Sequence, residues 1–101
     1  MKMYSSDICK DCRAFKALIV ERGIEGAFEI VDITENTQNL REFLKMRDNE
    51  AVFEAVRERG AIGIPCFVRD DGNVTLDEDV ALEWIGYELK GNEVYSCVSC
   101  K

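Results

Sequence analysis

Between Met1 and Gly23 the chain passes once from a strand pattern to a helix pattern, and two thiols mark the change. Met1 to Tyr4 has strand character and leads through the Ser5-Ser6-Asp7 turn. From Lys10 to Arg22, Cys12, Phe15, Leu18 and Ile19 recur at helical spacing, and Gly23 is a suitable stop. Cys9 therefore falls at a helix start, facing backbone N–H groups without intrahelical partners and the positive end of the helix dipole. Both favour a thiolate. Cys12 lies one turn on, on the same side, placed to attack a mixed disulfide formed at Cys9. Cys9 is thus the candidate nucleophile and Cys12 the candidate resolving thiol. The same spacing also supplies two of the four ligands of a ribbon-type zinc site, so the residues alone leave redox and metal readings open.

The rest of the chain continues the alternation. Ala27 to Ile33 is rich in β-formers and too short for a helix, which predicts a largely buried strand, parallel to the first and joined to it by a right-handed crossover. Thr37 or Asn39 can cap a second helix carrying Leu40, Phe43 and Leu44 on one face. A break near Arg47-Asp48-Asn49 precedes a further run with Val52, Phe53, Ala55 and Val56, ended by Gly60. Ile62 to Val68, the turn Asp70-Asp71-Gly72-Asn73 and Val74 to Leu76 read as a β-hairpin. Asp77 is a sound N-cap for a last helix presenting Val80, Ala81, Trp84 and Ile85. The order β-α-β-α-β-β-α describes one α/β domain over residues 1–90, followed by a tail, 91–101, with a second Cys-x-x-Cys at Cys97 and Cys100.

The single proline, Pro65, stands inside a strand pattern, where it has no N–H for the ladder. A cis peptide at Ile64-Pro65 is the expected accommodation, with the Ile64 backbone left to pair with an extended thiol-bearing substrate beside Cys9. Cys66, alternating away from Pro65, is expected to be a buried small hydrophobe and not a third redox thiol.

Composition narrows the chemistry. A net charge of −7, with 20 acidic against 13 basic residues, argues against a nucleic-acid partner. The chain has no histidine, which removes imidazole acid/base catalysis and imidazole metal ligands. No secretion signal opens the sequence and no apolar run is long enough to span a membrane, so a cytoplasmic monomer without membrane contact is expected. In that compartment five cysteines read as redox-active, metal-binding or buried, not as a disulfide framework.

A Cys9-Lys10-Asp11-Cys12 motif opening the first helix, with Gly63-Ile64-Pro65 at a hairpin strand, resembles the glutaredoxin branch of the thioredoxin superfamily over about Met1 to Leu89. The resemblance implies a thioredoxin-like fold: a four-stranded mixed sheet flanked by helices, with Cys9, Cys12 and Pro65 converging at one end. It implies a thiol-disulfide oxidoreductase acting on protein or glutathione-mixed disulfides, with no bound cofactor and no metal. Glutathione is the candidate co-substrate. Ile64, Pro65, Asp77 and Glu78 are the candidate substrate contacts, and Cys97 and Cys100 a candidate accessory redox pair. Lys10 and Asp11 stand where glutaredoxins usually carry Pro and an aromatic residue, and Ser6 where they usually carry Lys. The alternatives are a metal-binding protein, with Cys9 and Cys12 joining Cys97 and Cys100 around zinc or Cys9 holding an iron-sulfur cluster, and a non-enzymatic interaction module.

Overall fold

A computed structural model of the protein describes residues 1–86. The tail from 91, with Cys97 and Cys100, lies outside the described residues, as does Leu89. Four strands, β1 (Lys2–Ser5), β2 (Glu29–Asp32), β3 (Cys66–Val68) and β4 (Val74–Thr75), form one sheet in the order β2-β1-β3-β4. β1 runs parallel to β2 and antiparallel to β3, and β3 runs antiparallel to β4. The expected α/β architecture with a mixed sheet is therefore present.

Side-chain alternation along β1 and β3 divides the interior in two. Met3 pairs with Phe67 and Tyr4 with Cys66, so each pair projects to its own face of the sheet. On the first face, Met3 and Phe67 pack with Phe15 and Ile19 of α1 (Lys10–Glu21), with Phe28, and with Ala81 and Leu82 of α4 (Glu78–Trp84). Phe15 meets Phe67 edge-on at 5.0 Å and Phe28 at 5.6 Å, the arrangement the ring quadrupole favours. On the second face, Tyr4, Ile33 and Cys66 pack with Phe43 of α2 (Thr37–Asn49), with Phe53, and with Val56 of α3 (Glu54–Arg59).

Several local expectations are corrected. β2 is an edge strand, not a largely buried one: Glu29 and Ile30 are exposed, and the burial falls to the flanking Phe28 and Ile33. The second helix is capped by Asn36, whose side chain accepts the Asn39 N–H at 2.8 Å, and not by Thr37 or Asn39. Of that helix's apolar residues only Phe43 is buried, while Leu40 and Leu44 face solvent, because one short helix over one sheet face seals a single row of side chains. In α4 the unanticipated Leu82 is buried, and Trp84 is half-buried beneath the Arg69 guanidinium, 4.5 Å from its ring centroid. The hairpin's first strand starts at Cys66, four residues later than expected, since Gly63 at φ +97° leaves the extended region. No helix among the described residues is long and apolar enough to cross a membrane.

Candidate functional site

Cys9 is the N-cap of α1. Its extended backbone aims Sγ across the first turn, where the Cys12 backbone N–H donates to it at 3.3 Å. Sulfur thus takes the capping position ordinarily held by a serine or aspartate oxygen, and the donor it receives strengthens when the acceptor is charged. The Cys9 thiol lies 3.9 Å from the Ile64 carbonyl oxygen, in the loop that leads into β3. The Ile64–Pro65 peptide there is cis, as expected, and Pro65 is buried. Cys9, Cys12 and Cys66 are all free thiols, and their exposures differ: Cys9 is half-buried, whereas Cys12 and Cys66 are fully enclosed. Burial, with Cys9 beside it, pushes the Cys12 thiol up to about 12. Burial alone does the same to Cys66, also to about 12.

Two side-chain networks hold this geometry, and neither was anticipated. The loop before Cys9 is tied to the end of β2: Ser6 Oγ lies 2.9 Å from Thr34 Oγ1 and accepts the Ile8 N–H at 3.3 Å. Thr34 in turn donates its N–H and its hydroxyl to Asp32 Oδ1, at 2.8 and 2.7 Å, which holds the Asp32 carboxyl below its ordinary range. On the opposite bank, Arg47 donates to the Ala61 carbonyl and Arg57 to the carbonyls of Arg47 and Glu50, anchoring the chain just before Ile64. Gly63 is required there, because a Cβ would come within 2.8 Å of the Phe53 ring as well as needing a positive φ. The Gly-Ile-Pro sequence carried that signal; the Asp32-Thr34-Ser6 chain had none beyond polar residues at strand ends.

Asp7, the acid just before Cys9, is engaged elsewhere. Its carboxylate pairs with Lys16 at 2.7 Å and its carbonyl accepts from Arg13 at 2.9 Å, so its charge is partly balanced by α1 itself.

Cys9 opens on a cleft of about 800 Å3. Ile33, Val56, Ile64, Pro65 and Leu76 give it an apolar lining, and Ile8 and Ile62, which also line it, are 81% and 58% exposed. The start of α4 lines it as well, and there Asp77 caps the helix by accepting the Asp79 N–H at 2.8 Å. Cys9, Ile64, Pro65, Asp77 and Glu78 all line this one cleft, so the structure brings those five expected residues together, with Cys12 beneath Cys9. Ile8, Asp11, Arg59, Ile62 and Asp79 line it too and were not among the expected substrate contacts. Cys66 lies buried behind Pro65. Among the described residues no group of three His, Cys, Asp or Glu side chains is placed to hold a metal ion. Cys97 and Cys100 are outside that set.

Comparison with curated proteins finds an uncharacterized protein of Haemophilus influenzae that is 29% identical over 75 residues, covering 74% of this chain and 85% of that one. No family model and no solved structure matches the chain.

Proposed function

We propose that this protein is a thiol-disulfide oxidoreductase of thioredoxin-like architecture, of the glutaredoxin kind, that reduces disulfides through Cys9 and Cys12. The observation that carries the reading is the placement of Cys9: a half-buried thiol capping a helix, with the Cys12 N–H on its sulfur and the Ile64 carbonyl facing it at the mouth of a cleft. A structural cysteine has no need of a cleft, a donor on sulfur, or an enclosed second thiol one turn away.

The reaction follows from the two thiols' surroundings. Cys9, as thiolate, attacks one sulfur of the substrate disulfide; the S–S bond breaks, and the departing thiolate takes up a proton. Cys12 is kept protonated by burial until that point. It then loses its proton to the medium or to the departing group and attacks Cys9 Sγ. The protein is left with a Cys9–Cys12 disulfide, two electrons have passed to the substrate, and the second substrate thiol is released. An external thiol or dithiol restores the reduced pair.

The test is turnover of a small mixed disulfide, with glutathione and with thioredoxin reductase as alternative reducing systems. Wild-type protein is expected to turn over with one of them, and Cys9→Ser to abolish it. Equal rates for wild type and Cys9→Ser would remove the assignment.

A further inference from the structure

We propose that the cleft beside Cys9 selects disulfides carried on an extended, apolar and positively charged peptide segment, in preference to anionic thiol compounds such as glutathione. The assignment rests on the redox reading above and names its substrate class.

Charge is the first ground. Asp11 stands on the α1 side of the cleft and Asp77 and Asp79 on the α4 side, and among the described residues that line it the one cation is Arg59. Three carboxylates against one guanidinium give the cleft a negative field that low-dielectric walls concentrate, in a chain whose net charge is already −7. Glutathione brings two carboxylates and one ammonium, so it meets repulsion at more points than it meets attraction. A lysine or arginine flanking a substrate cysteine meets the reverse.

Shape and backbone are the second ground. Ile8 and Ile62 are large aliphatic side chains that line the cleft and are left exposed. Together with Ile64 and Leu76 they offer apolar contact to the aliphatic side chains of a peptide. Among the described residues, none pairs with the backbone N–H of Ile62, Gly63 or Ile64, although all three residues line the cleft. An extended peptide satisfies such a row by main-chain hydrogen bonds, with its alternate side chains directed to the apolar wall. The peptide's cysteine then lies at Cys9, and the disulfide exchange proceeds with the bond and proton changes given above.

Binding is measured first, with synthetic peptides in which serine replaces cysteine, so that no disulfide chemistry contributes. Aliphatic residues flank the serine in all of them, and two outer positions are both lysine, both glutamine or both glutamate. The lysine peptide is expected to bind roughly tenfold tighter than the glutamine peptide, and the glutamate peptide weakest, with the order collapsing at about 0.5 M salt. Asp77→Asn combined with Asp79→Asn should flatten the order, and asparagine retains the capping acceptor at position 77. Arg59→Gln should tighten the lysine peptide further. Equal affinities, the reverse order, or no saturable binding of any peptide would overturn the proposal. The cystine forms of the same peptides then separate the two readings in single-turnover reduction. If the charge order of binding holds and none is reduced, it is the redox assignment that fails; if all are reduced and bind without charge order, it is this one.

Discussion

On one side of the sheet Met3 and Phe67 meet Phe15, Ile19, Phe28, Ala81 and Leu82, a cluster whose buried side chains are hydrocarbon apart from one thioether. On the other side, from the same two strands, Tyr4 and Cys66 meet Phe43, Phe53, Val56 and Ile33, and the cluster includes a phenol and a thiol. The Tyr4 hydroxyl donates to the Glu42 carboxylate at 2.5 Å, and burial together with that partner raises its pKa. The first face is closed by α1 and α4. The second continues through Ile33, Val56, Ile64 and Leu76 into the cleft wall. A period-two strand therefore sends two kinds of side chain to opposite faces of one sheet, one apolar throughout and the other admitting a phenol and a thiol.

The largest effect is expected from a deep truncation on the closed face. Phe15→Ala, at the centre of the three-ring cluster, should cost about 3–5 kcal/mol in urea unfolding. Where the variant is still folded, its Cys9 alkylation rate should match wild type, since none of the residues lining the cleft belongs to that cluster. Gly63→Ala acts on the other face. The clash with Phe53 and the positive φ should together cost about 2–4 kcal/mol, and turnover should fall with it, because Gly63 shapes the bank that carries Ile64.

Alkaline pH distinguishes the faces without a large truncation. The Cys66 thiol is held at about 12 against an ordinary 9.0, and Cys12 likewise. A folded pKa above the unfolded one means the stabilisation is complete below pH 9 and is lost as pH climbs through about 12. Unfolding free energy should therefore decline over that window. Cys66→Ala should make the decline shallower, whereas Phe15→Ala should leave its slope unchanged while lowering the whole curve. The smallest effect is expected at Asp32, whose carboxyl is lowered by Thr34. Its contribution is present above the ordinary aspartate range and is lost as pH falls below it. Asp32→Asn should cost about 0.5–1 kcal/mol, and amide exchange should quicken at Ile8, the link the Ser6 and Thr34 hydroxyls support.

The element order and the thiol pair were legible because they rest on local pattern: helical spacing after Cys9, β-formers before Asp32, a turn at Asp70 to Asn73, and an acid capping α4. Burial was less legible. Ile30 and Phe28 are equally apolar, and only the sheet order, which leaves β2 at the edge, decides that one is exposed and the other enclosed. Leu82 is enclosed while Val80 is only partly so for a similar reason, since a seven-residue helix is too short for its periodicity to fix the buried face. In the site, Cys9, Cys12, Ile64 and Pro65 could be named because each carries its own chemistry or backbone constraint. The hydroxyl and guanidinium links that hold them join residues distant in sequence, Ser6 to Thr34 and Arg47 to Ala61, and only the folded chain brings those together.

The division of roles between an attacking Cys9 and a resolving Cys12 is decided by incubating Cys12→Ser with a peptide disulfide and reading the intact protein and its proteolytic fragments by mass spectrometry under non-reducing conditions. A stable adduct of one substrate thiol on Cys9 is expected, absent from wild type because Cys12 releases it, and absent from Cys9→Ser. No adduct in Cys12→Ser, or an adduct on Cys66 in its place, would contradict it.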